Sequence, residues 1–246
     1  MSYGPFAGFY DCFTSDVGYA ERCEYILGLF DKFDRIPSLL LDVGCGTGGF
    51  SFEMAKHGID VIGADPSPEM LAVAQNKEFD GKFPLFLNQS ASELDLYGTV
   101  DGAIACLDTL NHITEYSELA ASLKRISLFL EPERLFIFDV NTPYKHKNVL
   151  SGKKFVYDNG EKLCIWKNSR CKRDGTVKMK LRLYEITDDG YRKYTDTLCE
   201  RAYGEAELGS ALDGAGLRVL AVFDDMTLNA PRDTSERLYY VTEKVK

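Results

Sequence analysis

Leu39-Leu40-Leu41-Asp42-Val43, followed at once by Gly44-Cys45-Gly46-Thr47-Gly48, is the stretch that most restricts what this chain can fold into. A short apolar run that brackets one acid reads as a buried strand. The glycine turn behind it opens a helix, because glycine accepts positive φ and lets backbone N–H groups approach a ligand without Cβ atoms in the way. A second apolar strand, Val61-Ile62-Gly63-Ala64, ends in Asp65, where a carboxylate can grip ribose hydroxyls. Strand, glycine loop, helix, strand and acid make one adenosine-binding half of an α/β fold.

Two cofactor classes fit such a half. Gly44, Gly46 and Gly49 satisfy G-x-G-x-x-G, which leaves a dinucleotide formally open. Asp42, two residues before the first glycine, argues the other way. A carboxylate there repels a pyrophosphate and attracts the cationic methionyl amine of S-adenosylmethionine (SAM).

Strands and helices then alternate as a doubly wound sheet requires. Phe50 to Lys56 is a short helix stopped by His57-Gly58, and Ser67-Pro68-Glu69 starts another with a capping hydroxyl, a first-position proline and a first-turn acid. Phe83 to Leu87 and Val100 to Cys106 read as the third and fourth strands. Tyr116, Leu119, Leu123, Ile126 and Leu130 recur at helical spacing, with Pro132 expected to close that helix before a fifth strand at Leu135–Val140. A helix over Glu205–Ala215 and strands over Leu217–Phe223 and Leu238–Thr242 finish the pattern.

Residues 151–202 break the alternation. Asn159-Gly160, Asp174-Gly175 and Asp188-Gly190 are turn signals between segments rich in β-branched and aromatic residues. Val177 to Leu183 alternates strictly, apolar side chains on one face and Lys178, Lys180 and Arg182 on the other. The expectation is an antiparallel β cap at 151–202, inserted into a core formed by 1–150 and 203–246. The insert holds 13 Lys and Arg against 8 Asp and Glu, so it is basic within a chain of net charge −9. Those basic residues form either a solvated outer face or a collector for an anionic substrate.

The overall acidity argues against a nucleic-acid-coating protein. Seven cysteines, odd in number and without C-x-x-C, suit reduced thiols in a cytoplasmic protein. His57, His112 and His146 are too scattered in sequence to suggest a metal cluster. No apolar run approaches membrane-spanning length and no signal peptide is evident, so no membrane partner is expected. A monomer or homodimer is expected.

Asp42-Val43-Gly44-Cys45-Gly46-Thr47-Gly48 resembles the first motif of class I SAM-dependent methyltransferases, and Asp65 matches their ribose-binding acid. The whole chain is similar to a group of small bacterial members of that family, most without an assigned substrate, that carry a β-sheet cap after the fifth strand. Tyr10-Asp11, Asp108-Thr109-Leu110-Asn111, Phe138-Asp139-Val140-Asn141-Thr142-Pro143, Arg201 and Tyr203 carry this likeness. The capped architecture is also similar to small-molecule enzymes such as glycine N-methyltransferase. Two departures stand out. Asn88-Gln89-Ser90-Ala91-Ser92 replaces the usual adenine-binding acid after the third strand, and Pro132-Glu133-Arg134 replaces a Pro-Gly-Gly turn.

The resemblance implies a Rossmann-like seven-stranded, mostly parallel sheet and methyl transfer from SAM, with S-adenosylhomocysteine (SAH) as product. It implies cofactor contacts from Asp42, Gly44, Cys45, Gly46, Gly48, Asp65, Pro66, Met70, Ser90, Ala91, Leu107 and Asp108. Tyr10, Asn111, Asn141, Tyr144 and Arg201 are the candidates for the acceptor side, and His112 is read as a helix-entry residue rather than a base. The favoured acceptor is a small molecule, anionic if the basic cap collects it. RNA or protein docking through the cap, a non-catalytic SAM-binding module and a nicotinamide oxidoreductase remain as alternatives.

Overall fold

A computed structural model describes residues 6–245. Among the described residues, helices and strands follow one another from α1 (Ala7–Phe13) and α2 (Tyr19–Lys32), neither foreseen from the sequence, to β11 (Arg237–Lys244). The apolar run becomes β1 (Leu39–Val43), buried along all but its first residue. Behind the glycine turn come α3 (Gly49–Lys56), β2 (Asp60–Ala64), α4 (Pro68–Gln75) and β3 (Leu85–Leu87). The cap of α4 forms as its sequence requires: Ser67 Oγ accepts the Met70 N–H at 3.2 Å.

Next follow β4 (Val100–Ala105), α5 (Thr109–His112), α6 (Tyr116–Phe129) and β5 (Leu130–Asn141). Here one expectation fails. Pro132 does not close α6: the helix ends at Phe129, and Leu130 already pairs with Val100 as the first residue of β5. The strand absorbs the proline in a register shift, and Glu133 takes the left-handed conformation (φ +63°) that a glycine would ordinarily supply. Arg35 Nε fastens this bend by donating to the Glu133 carbonyl at 3.0 Å. The third strand is also shorter than expected, with Phe83 left half-exposed ahead of it.

The insertion forms β6 (Lys154–Asp158), β7 (Lys162–Asn168), β8 (Thr176–Thr187) and β9 (Gly190–Arg201), an antiparallel sheet in sequential order. The chain then returns through α7 (Glu205–Gly214) and β10 (Leu217–Asp224) to β11. The main sheet has the order β10-β11-β5-β4-β1-β2-β3, and β11 runs antiparallel to both neighbours. Strand order reverses between β1 and β4, so a crevice opens at their carboxyl ends.

Both faces of the main sheet are covered. Ile26, Leu29, Phe30 and Met54 from α2 and α3 fill one side; Leu119, Leu123, Ile126, Leu208 and Leu212 from α6 and α7 fill the other. A third cluster joins Phe9 of α1 to Val177, Met179, Leu181 and Leu183 on one face of the inserted sheet. The helix α1 therefore belongs to both bodies. Its Asp11 accepts a hydrogen bond from Thr47 Oγ1 at 2.5 Å and an ion pair from Lys77 at 2.7 Å, while Lys162 Nζ reaches the Gly8 carbonyl from the cap.

Asn111 joins the same two bodies on the other side. Fully buried, it accepts the Asn141 N–H at 2.8 Å and donates to the carbonyls of Asn141 and Arg201. Losing the side chain leaves buried backbone groups of β5 and β9 without partners. Asn111→Ala is expected to lower the unfolding free energy by about 2–4 kcal/mol in urea titrations.

Candidate active site

The crevice opens into a cavity of about 290 Å³. Its core-side wall is the glycine turn. Gly44 has φ +69°, and a Cβ there would lie 2.4 Å from Thr109 Cγ2, so no larger residue fits. Gly46 has φ +54° but a Cβ on it would meet nothing within 4 Å. Space for a ligand therefore stands directly above its backbone. Asp65 lies under this loop, accepting the Gly46 N–H at 2.9 Å through Oδ2 and the Ser67 N–H at 2.8 Å through Oδ1. Each oxygen retains a lone pair for a further donor.

Asp42 sits deeper, 2% exposed, with Ser51 Oγ donating to it at 2.6 Å. Burial pushes its carboxyl up to about 7, against the lowering effect of Ser51, and nearby Asp65 adds to the rise. Burial likewise raises Asp65, opposed by its two backbone hydrogen bonds. Two desolvated acids on one wall make a site that gains from a cationic ligand.

The loop after β4 forms the next wall, and its backbone is unusual. Leu107 and Asp108 both have positive φ, +52° and +57°, without being glycine. Asp139, fully buried on β5, holds this shape by accepting the Leu107 N–H at 2.7 Å and the Asp108 N–H at 2.9 Å. Arg237, from the first residue of β11, bridges Asp139 and Asp108 Oδ1. Burial alone would raise the Asp108 carboxyl, but Arg237, then His112 and Lys145, hold it well below the ordinary carboxylate range.

The opposite wall comes from the cap and α1. Met179, Leu181, Leu198 and Cys164 present the sheet's apolar face, with Tyr157 and Trp166 beside them, and Phe6, Tyr10 and Phe13 close the top. Lys178, Lys180 and Arg182 point from the other face of β8 into solvent.

Comparison with known proteins decides the family. Residues 40–133 match the family described as a methyltransferase domain. A protein of Geobacillus sp. (strain WCH70), named as a methyltransferase, is 30% identical over 247 residues, covering 99% of this chain and all of its own. The chain belongs to the class I SAM-dependent methyltransferases. A SAM-dependent methyltransferase from Clostridium acetobutylicum ATCC 824 shares its fold at a TM-score of 0.87, with 27% identity and 99% of each chain covered. The SAM-bound amino pentose methyltransferase CalS10 of Micromonospora echinaspora shares the fold at 0.75 and 19% identity over 95% of this chain and 96% of that one. SAM is the cofactor of this methyltransferase and SAH its product.

Of the residues singled out from the sequence, the methyltransferase brings Tyr10, Asp42, Gly44, Cys45, Gly46, Asp65, Met70, Leu107 and Asp108 together around the cavity. Others stand apart from it. Gly48 (φ +80°) turns the chain into α3, Pro66 is exposed, and Ser90 Oγ donates to Glu93 while Ala91 packs against the core. Asn111 and Asn141 are buried at the core–cap junction, and Tyr144 enters a π-helical turn at Lys145–Leu150 where its carbonyl accepts from Asn148. Arg201 does not reach the cavity: it pairs with Glu207, donates to the Asp174 and Thr114 carbonyls and stacks 4.6 Å over Tyr203.

Glu200 and Arg237, and the cavity-lining aromatics Phe13, Tyr157 and Trp166, escaped sequence reasoning. Asp139 was legible as part of the motif after the fifth strand, near the carboxyl end of an apolar strand as Asp42 is, but its hold on the loop after β4 is decided by the fold. Nothing local marks Glu200 or Arg237.

Two measurements test this electrostatic arrangement. Removing Arg237 leaves Asp108 and Asp139 as uncompensated buried acids, so Arg237→Ala is expected to cost about 3–5 kcal/mol of stability in urea unfolding. Asp42 carries the opposite sign. Its raised folded value means the native state binds the proton more tightly, so its contribution to stability declines as pH rises from about 4 to about 7 and is level beyond. Asp42→Asn, which keeps an acceptor for Ser51, should therefore gain stability relative to the parent by up to about 4 kcal/mol more at pH 8 than at pH 4.

Proposed function

We propose that this methyltransferase acts on a small-molecule acceptor seated beneath the four-stranded cap. One observation carries the reading: a single cavity runs from Gly44, Gly46 and Asp65 to Trp166, Met179, Leu181 and Leu198. Cofactor and acceptor walls are thus continuous, a recess between core, cap and α1 that suits a compact ligand better than a polymer. The enzyme called an amino pentose methyltransferase, CalS10, has the same fold and acts on a small molecule by its name. The core residues fit the cofactor on physical grounds. The Gly46 cradle is open, Asp65 has lone pairs to spare for ribose hydroxyls, and Asp42 suits a methionyl ammonium.

Bound SAM supplies an electrophilic methyl group on a sulfonium. The chain's part is to orient and to exclude water. Gly44 and Gly46 would bring backbone close to the cofactor, and Met70, Leu107 and Asp108, which line the same cavity, would help to hold it. Tyr10 and Phe13 on α1 cover the site, and the cap's apolar face removes solvent from around the acceptor. Orientation of this kind contributes roughly 7–11 kcal/mol to lowering a bimolecular barrier.

The anionic acceptor weighed from the sequence loses its support. Lys178, Lys180 and Arg182 are on the solvent face of β8, whereas Asp16, Asp42, Asp65, Asp108 and Glu200 line the cavity. A polymer docking on that outer basic face would lie across the sheet from the cavity. Among the described residues, no helix is long and apolar enough to cross a membrane. The seven cysteines, all without disulfides, suit a reducing compartment such as the cytoplasm.

Calorimetric titration with SAM, SAH and NAD tests the cofactor part, with micromolar binding expected for the first two and none for NAD. NAD binding alone would remove the reading. Asp65→Ala is expected to weaken SAM binding by about 1–3 kcal/mol through lost charged hydrogen bonds; unchanged affinity in a folded variant would take Asp65 out of the site.

A further inference from the structure

Where core and cap meet inside the cavity, three side chains from separate elements converge. Asp108 follows β4, His112 is the last residue of α5, and Glu200 is the penultimate residue of β9. His112 Nε2 lies 3.7 Å from Asp108 Oδ2 and 3.9 Å from Glu200 Oε1, and one ligand atom of each residue falls within 4.8 Å of the other two. All three residues line the cavity.

Each carboxylate is fastened by its other oxygen. Asp108 Oδ1 takes Arg237 at 2.7 Å. Glu200, 3% exposed, spends Oε2 on Asn141 Nδ2 at 3.0 Å and stands 3.2 Å from His146 Nε2. Glu200 Oε1 faces His112 Nε2 at 3.9 Å, beyond hydrogen-bond distance, on a residue that lines the cavity. An oxygen open to the cavity in this way is free to accept from a partner seated there.

The surroundings narrow what that partner is. Arg237 is committed to Asp108 and Asp139, and Lys145, whose Nζ donates to Asn141 Oδ1 at 2.9 Å, does not line the cavity. An anion here would meet the carboxylates of Asp108 and Glu200. A neutral amine nitrogen can sit at about 2.8–2.9 Å from Asp108 Oδ2 and Glu200 Oε1, donating one N–H to each beside His112 and keeping its lone pair for the methyl group, which yields a methylammonium and SAH. Phe13, Tyr157 and Trp166 then offer aromatic surface to the organic body carrying that nitrogen, an arrangement favourable to a monocation.

We propose that Asp108, His112 and Glu200 form the recognition site for an amino group, and that the acceptor of this enzyme is a small organic amine. The proposal rests on the reading of the cavity as the acceptor site of a methyltransferase. It makes Asp108 and Glu200 residues that determine specificity, with Asn141 and His146 positioning Glu200 and Arg237 positioning Asp108. The sequence candidate Asn141 thereby acts through Glu200 rather than on substrate.

Three probes with a common ring test it: benzylamine, benzyl alcohol and benzoate, each titrated calorimetrically into the SAH complex in the presence of EDTA. Benzylamine is expected to bind at least tenfold more tightly than the alcohol, and benzoate more weakly than either. Glu200→Gln should remove that preference while SAH affinity stays within twofold. Equal binding of amine and alcohol, preference for benzoate, or no binding by benzylamine would overturn the proposal. So would a preference that appears only when Mn²⁺ replaces EDTA, since a metal would then occupy the trio. The wild-type comparison stands even if the variant fails to fold. Failure of SAH itself to bind would defeat the cofactor reading, whereas SAH binding without amine selectivity would defeat this inference alone.

Discussion

Asp139 accepts the N–H groups of Leu107 and Asp108 and is bridged by Arg237 to the Asp108 side chain, and most of the site's geometry hangs on that cluster. Two consecutive non-glycine residues in the left-handed region are each disfavoured by about 1–2 kcal/mol. Charge-assisted hydrogen bonds to a fully buried carboxylate offset this and fix the loop. The bend aims Asp108 into the cavity beside His112 and leads directly into α5. Arg237 arrives because β11 runs antiparallel to β5, which sets it opposite Asn141, two positions along the strand from Asp139. The one antiparallel strand of the main sheet thus delivers the cation that its acids require.

A second constraint follows from the double attachment of α1. Its Phe9 packs into the cap cluster and its Asp11 is tied to Thr47 of the glycine turn and to Lys77. The helix is therefore a strap across the top of the cavity, held by core and cap at once. Asn111 fixes the floor of the same junction, binding β5 to β9. Because cofactor loop, strap and cap are joined this way, the walls that meet cofactor and acceptor hold a fixed relation, which is what an orientation-driven transfer demands.

Much of the fold was legible because its signals are local. Periodicity located the strands of the main sheet, Ser67-Pro68 announced α4, and strict alternation over Val177–Leu183 assigned the two faces of β8. The failures have physical reasons. Pro132 looked like a helix stop, yet a register shift and a left-handed Glu133 let β5 carry it. The amphipathic α1 and α2 lack strong capping signals; Gly18 caps α2 in a left-handed conformation, and no side chain caps either helix.

The sequence alone determined the glycine turn, the acids at the ends of the first two strands and hence the cofactor class, because these features act within a few residues of one another. It also determined that an antiparallel sheet interrupts the core. The tertiary structure decided which acids meet. Asp108, Glu200 and Arg237 are separated by tens of residues or more, and only strand order and register bring them to one cavity. It decided as well that the cap turns its apolar face inward and its lysines outward. Burial of Met179, Leu181 and Leu198 against α1 and the site outweighs any attraction the basic face could offer.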